Sequence, residues 1–278
     1  MIIDQHTNKL YLSSLLKDKH IRFYNNFTKK LTELGVEINY LNNTKDIWCR
    51  DYMPIQRNNH VFIQFKFNPN YLNSKKYDVI RTNPREVWMN MKIRVKESDI
   101  ILDGGNVVKW KRKAVITNRI VKDNPKMDEL GLYEAIKGEL GLDQLIVIPE
   151  IKGEMTGHSD GIVRFVDGNT VVINDFTKID KEYSKALKFC LLSAGLRYTE
   201  IPNELEKAKY DSDDRGDYIN FLEMKDFVLI PAFKSKMDEI VLSAYRGIFK
   251  GKRVDNIDCR EIAREGGALN CISWNIKA

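Results

Sequence analysis

Apolar and polar positions along this chain come in short blocks that switch between a helical period and strict alternation. Phe27 to Leu34 has helical spacing and meets a stop at Gly35, after which Val36-Glu37-Ile38-Asn39-Tyr40 alternates as a strand. His60 to Phe67 predicts a strand, as do Val107-Val108 and Ala114-Val115-Ile116. Met127 to Leu140 predicts a helix ending at Gly141, followed by the buried-strand run Leu145-Ile146-Val147-Ile148. Ile162 to Val166 and Thr170 to Ile173, joined by Asp167-Gly168-Asn169, predict a hairpin. Lys181 to Ala194 and Met237 to Phe249 complete the helices; Phe227 to Ile230, Arg253 to Ile257 and Ala268 to Trp274 complete the strands. The class is mixed α/β. No linker-like stretch interrupts it, so residues 1–278 are expected to form a single domain.

The charge balance, 45 Lys+Arg against 39 Asp+Glu, is only mildly basic, and the two signs are interspersed. A nucleic-acid partner is therefore not expected. No run approaches the ~18–20 apolar residues that a membrane helix needs, so no membrane partner is expected either. Met1-Ile2-Ile3-Asp4-Gln5-His6 lacks the basic lead and apolar core of a secretory leader, which makes the cytoplasm the expected location. The four cysteines are widely spaced and form no CxxC pair, which argues against a zinc site or a disulfide scaffold. Two charged runs read as solvated surface: Lys109-Trp110-Lys111-Arg112-Lys113 as a hairpin tip, and Asp211-Ser212-Asp213-Asp214-Arg215-Gly216-Asp217 as an acidic loop. Trp88 and Met89 read as core.

Histidine is scarce, with four in all, and His6, His20 and His60 have ordinary neighbours. His158 stands apart in Thr156-Gly157-His158-Ser159-Asp160-Gly161, where the imidazole and Asp160 are two residues apart on a strand-like entry and so project to one side. The flanking glycines allow backbone or ligand to approach closely. Asp51 ends Asp46-Ile47-Trp48-Cys49-Arg50-Asp51 ahead of the turn at Pro54, and Asp103 precedes Gly104-Gly105-Asn106. Glu265-Gly266-Gly267 leads into Ala268-Leu269-Asn270-Cys271-Ile272, which places Cys271 as a strand-borne thiol facing a cleft and makes it the nucleophile candidate. Cys190 and Cys259 read as core and structural, and Cys49 as facing away from Trp48 and Arg50. Asp51, Asp103, Asp160, Asn220 and Cys271 follow one another at intervals of 52, 57, 60 and 51 residues. Such a period suggests a repeated supersecondary unit whose equivalent edges converge on one axis.

Taken in order, Trp48-Cys49-Arg50-Asp51, Asp103-Gly104-Gly105-Asn106, Gly157-His158-Ser159-Asp160, Tyr218-Ile219-Asn220-Phe221, Pro231-Ala232-Phe233 and Gly266-Gly267-Ala268-Leu269-Asn270-Cys271 resemble the agmatine deiminase and bacterial-type peptidylarginine deiminase family. The resemblance covers most of the chain. It implies the pentein fold, a five-bladed α/β-propeller with pseudo-fivefold ββαβ modules around a central site. The chain departs from the family pattern at Met53, where Gly is usual, at Asp103, where Glu is usual, and at Asn270, where His is usual. It is also shorter than typical agmatine deiminases, which implies trimmed loops.

A guanidinium carbon shares its charge over three nitrogens and is a poor electrophile, so hydrolysis calls for a strong nucleophile, fixed geometry and proton delivery. Two carboxylates, assigned to Asp51 and Asp160, match the N–H fork of a guanidinium. Cys271 would attack the central carbon, and His158 would serve first as acid and then as base. Asp103 and Asn220 would add substrate contacts, and Trp48 would stack on the planar group or pack along the alkyl stem. No metal or other cofactor is required. The expected reaction is hydrolysis of a small cationic guanidine, with agmatine going to N-carbamoylputrescine; the acidic loop fits a cationic tail. Peptidylarginine, free arginine and amidino transfer to an amine are alternatives, as is a non-catalytic binding role for the scaffold. A substrate carboxylate would call on Arg50, Arg164, Arg215 or Arg246. The sequence leaves room for a homo-oligomer.

Overall fold

The computed structural model describes residues 1–205 and 215–278. Strand β1 (Lys9–Ser13) pairs in parallel with β2 (Ile38–Leu41). Three-stranded sheets follow in chain order: β3 (Ile55–Gln56), β4 (Phe62–Lys66) and β5 (Val95–Ile101), then β6 (Val108–Trp110), β7 (Lys113–Thr117) and β8 (Gln144–Ile148). Next come β9 (Val163–Phe165), β10 (Thr170–Asn174) and β11 (Arg197–Ile201), then β12 (Leu222–Glu223), β13 (Phe227–Ala232) and β14 (Arg253–Asp258). Strand β15 (Trp274–Ile276) returns to the start and pairs antiparallel with β1, with Lys9 opposite Ile276.

Every sheet follows one plan. A short first strand lies antiparallel to the central strand, and the central strand is parallel to a third strand reached through a helical crossover. The chain is thus an α/β protein of five ββαβ units among the described residues, with the fifth unit closed by the two ends of the chain. The crossover helices dock by one face each. Ile21–Glu33 buries Phe23, Phe27 and Leu31, Glu129–Leu140 buries Leu132, Ile136 and Leu140, and Met237–Ile248 buries Val241, Leu242 and Tyr245. Each such side chain contributes about 1.5–3 kcal/mol on leaving water. The Glu129–Leu140 helix starts where the Asp128 side chain accepts from the Gly131 N–H, and stops where Gly141 turns left-handed at φ +69.

The plan gives the sequence period a physical origin. Asp51, Asp103, Asp160, Asn220 and Cys271 each lie two to five residues ahead of the first strand of a unit, before β3, β6, β9, β12 and β15 in turn. One residue per unit is therefore delivered to an equivalent edge.

Five expectations need correction. The run Ala268 to Trp274 is mostly turn: Ile272 N–H donates to the Ala268 carbonyl and Ser273 N–H to that of Asn270, so strand geometry begins only at Trp274. Its apolar side chains are buried all the same, and a short apolar run does not separate a strand from a buried turn. Cys271 is therefore turn-borne. His158 and Asp160 likewise sit in a loop rather than on a strand. Lys109 is no tip residue, because its ammonium is buried against Asp4, 2.9 Å away, while Lys111 and Arg112 do form the exposed tip. Met89 is exposed rather than core, and Cys190 is only half-buried, since it lies beside the exposed face of its helix.

Candidate active site

Four of the five edge residues, Asp51, Asp160, Asn220 and Cys271, line a cavity of about 690 Å³ together with Trp48 and His158. The short helix Cys49–Tyr52 presents Asp51, and the turn Gly104–Asn106 packs directly on it. That contact explains the Gly-Gly pair. A Cβ on Gly104 would lie 2.0 Å from the Arg50 carbonyl oxygen, and one on Gly105 would lie 2.5 Å from Asp51 Oδ1 and 2.6 Å from His158 Nδ1. Close approach, rather than flexibility, demands glycine at both.

The Cys271 sulfur accepts a hydrogen bond from Asn220 Nδ2 at 2.9 Å and lies 3.9 Å from Asp160 Oδ2. The Asn220 side chain also fixes the backbone beneath the thiol, since its Oδ1 accepts from the N–H of Asn270 (2.9 Å) and of Cys271 (3.3 Å). Asn270 Nδ2 in turn donates to Asp160 Oδ2 at 2.6 Å. An asparagine in place of the family's usual histidine is thus accommodated as a tether between the thiol turn and a carboxylate. Met53 causes no strain, because its backbone is extended at φ −83, a conformation open to any residue.

The His158 ring is held between two acids, with Nε2 3.0 Å from Asp103 Oδ2 and Nδ1 3.4 Å from Asp51 Oδ1. Burial works against its positive form, yet Asp51 and Asp103 prevail and raise its pKa to about 10. Asp51 is pushed well above the usual carboxylate range, first by burial and then by Asp103, Asp160 and Asp46, with only His158 opposing. Asp103 lies behind the imidazole, with its Oδ2 shared by His158 and the Tyr71 hydroxyl (2.7 Å) and its Oδ1 without a hydrogen bond among the described residues. Trp48 lines the cavity with its ring on Gly267, where a Cβ would come within 2.5 Å of the indole.

Three residues of the site carry no signal of their own in the sequence. Tyr71 lies on a single turn, Asn70–Leu72, in a stretch without periodicity. Asp46 and Asp217 are buried acids of the cavity wall, each raised by burial to about 7. Positions 211–214 of the acidic run lie outside the described residues, whereas Asp217 lies within them. Of the arginines considered for a substrate carboxylate, Arg50 donates to the Asn270 carbonyl and to Asn275, and Arg164 donates to the Phe221 carbonyl and to Asp4. Neither lines the cavity, and neither do Arg215 and Arg246. Cys49 is wholly buried, and its thiol meets the Ile272 carbonyl at 3.0 Å. Among the described residues, no group of three or more His, Cys, Asp or Glu is arranged to hold a metal ion, and no helix is long and apolar enough to cross a membrane.

Known proteins share this architecture. The C. jejuni agmatine deiminase superposes with a TM-score of 0.80 at 22% identity, covering 100% of this chain and 95% of that one. The agmatine deiminase of Enterococcus faecalis gives 0.76 at 14% identity, covering 98% and 94%. A dimethylarginine dimethylaminohydrolase from Pseudomonas aeruginosa gives 0.60 at 13% identity, covering 97% and 99%. These likenesses establish the pentein fold. In sequence, a Latilactobacillus sakei protein with a provisional agmatine deiminase name is 22% identical over 218 residues, which is 66% of this chain but only 60% of that protein's length. The model of the Porphyromonas-type peptidyl-arginine deiminase family matches residues 8–276, and this chain belongs to that family.

Proposed function

We propose that the protein hydrolyses the guanidinium group of a small cationic substrate to a ureido group and ammonia, with agmatine as the preferred substrate. The observation that carries this reading is the convergence of one thiol, one imidazole and buried carboxylates at a single cavity, where Asp51 and Asp160 line the wall and Asp103 backs the His158 ring. Asp51 and Asp160 repel one another, and a guanidinium between them would satisfy both.

In the proposed reaction, the Cys271 thiolate forms an S–C bond to the guanidinium carbon, and the C–N π electrons move to nitrogen. The imidazolium of His158 passes a proton to the departing nitrogen, the C–N bond breaks and ammonia leaves an S-alkylthiouronium. Neutral His158 then takes a proton from water as the oxygen attacks the same carbon. The S–C bond breaks as the added hydroxyl gives its remaining proton to solvent, where it pairs with the released ammonia as ammonium. The carbonyl forms, the thiolate returns and His158 is left protonated for the next turnover. Asn220 holds the sulfur and its turn throughout, and Asp103 with Tyr71 holds the ring.

Agmatine is favoured over free arginine because the buried Arg50 and Arg164 are already engaged away from the cavity. A Cys→Ser variant of the C. jejuni agmatine deiminase was solved with substrate bound, in a fold shared with this chain at a TM-score of 0.79. Ammonia release measured in parallel on agmatine, arginine and an arginine peptide tests the proposal. Agmatine should give the highest kcat/KM, with N-carbamoylputrescine formed in step with ammonia. Ammonia-free consumption of agmatine in the presence of an added amine would instead mean amidino transfer, and no turnover of any guanidine would reject the reaction.

A further inference from the structure

We infer that Asp217 is the acceptor for the terminal ammonium of an alkylguanidine substrate, a specificity-determining subsite beside the guanidinium grip. The inference rests on the deiminase reading above and extends it to the part of the substrate that does not react.

Asp217 is 4% exposed, so its carboxylate is almost entirely within the protein. Only one of its oxygens is used by the fold. Oδ1 accepts from Asn174 Nδ2 at 2.9 Å and from the Ile219 N–H at 2.8 Å, which fixes the carboxylate plane. Oδ2 accepts no hydrogen bond among the described residues, and it lies where Gly161 leaves room: a Cβ there would be 3.1 Å away. Both Asp217 and Gly161 belong to the cavity wall, and Gly161 directly follows Asp160, one of the two acids assigned to the guanidinium. The glycine that the sequence marks as a close-approach position thus opens the path between the two carboxylates. Phe176, Ile179 and Tyr183 line the same cavity and offer apolar contact to the methylenes of a tail.

An anion placed this way is costly unless a cation meets it. Arg164 does not meet it, since its guanidinium donates to the Phe221 carbonyl and to Asp4. Burial dominates and Asp160 adds repulsion, against the hydrogen bonds from Asn174 and the Ile219 N–H and the charge of Arg164, so the Asp217 pKa is raised to about 7. An incoming ammonium would be drawn to the ionised form and would stabilise it.

The test compares agmatine with butylguanidine, which carries the same reacting group but no charge at the other end. Asp217→Asn preserves the shape and the Oδ1 contacts. It should lower kcat/KM for agmatine tenfold or more, mainly through KM, while butylguanidine changes less than twofold. In the wild type, the agmatine-to-butylguanidine ratio of kcat/KM should rise as pH rises through about 7, because Asp217 pairs with the tail only when ionised. Equal losses on both substrates would assign Asp217 a purely structural part and overturn the subsite. So would an unchanged agmatine preference in the variant, or a wild type that prefers an arginine peptide. A wild type inert on every guanidine would overturn the deiminase reading itself, a result distinct from all of these.

Discussion

The cavity side of the ring and its rear face are both rich in buried charge, yet they are wired in opposite ways. At the rear, Asp4 meets Lys109 at 2.9 Å and Arg164 at 3.1 Å, and Glu223 meets Lys252 at 2.8 Å. Burial alone would raise the Asp4 pKa, but Lys109, Arg50 and Arg164 hold it well below the usual carboxylate range. Burial raises Glu223 to about 7 even beside Lys252, so the contrast lies in the pairing at Asp4. On the cavity side, Asp46, Asp51 and Asp217 are all raised, and the acids push one another higher. A paired network of this kind supports a structure, whereas an unpaired excess of one sign is a site waiting for the opposite charge. Under the proposed function, the difference assigns substrate binding to the cavity side.

The strongest way to break the comparison is at the thiol. Cys271→Ala should lower turnover on the order of 10⁴-fold or more while leaving agmatine binding measurable by calorimetry. Turnover at the wild-type rate would remove Cys271 from the mechanism. At the rear the loss should fall on stability instead. Asp4→Asn strands Lys109 and Arg164, and should cost about 3–5 kcal/mol in denaturant unfolding with kcat/KM near the wild-type value below the transition. Gly105→Ala places a methyl 2.5 Å from Asp51 Oδ1. The resulting shift of Asp51 or His158 should lower kcat/KM about 10²-fold, with little change in the melting temperature. The smallest effect is a gradient with pH. In the proposed reaction His158 must be protonated to serve the leaving nitrogen, so the rate should fall about tenfold per unit as pH rises through about 10. It should fall at the acid end as Asp51, raised by burial, takes up a proton and loses its hold on the guanidinium. By linkage, the stability supplied by His158 is complete below its unfolded value of about 6.5 and is lost as pH rises through about 10.

Much of this was legible beforehand because it depends on local rules. Gly35 and Gly141 end helices by turning left-handed, and Asp167-Gly168-Asn169 joins an antiparallel pair, as their residue types require. The spacing of Asp51, Asp103, Asp160, Asn220 and Cys271 anticipated five equivalent edges because each unit spends a similar length of chain on its ββαβ plan. What stayed hidden depends on distant neighbours. Lys109 looked like a solvated tip because nothing near it in sequence reveals Asp4, and Asp4 reaches it only when the amino-terminal turn folds under the ring. Tyr71 gave no sign because a single turn has no period. Cys271 was expected on a strand because the burial of Ala268, Leu269 and Ile272 does not say what backbone carries it.

The pairing of β15 with β1 anchors the thiol turn. Cys271 precedes β15 by only three residues, so the turn that holds its sulfur against Asn220 and Asp160 hangs from the seam between the first and last strands. Fraying of that seam would therefore loosen the sulfur from its two partners while leaving the His158 ring between Asp51 and Asp103.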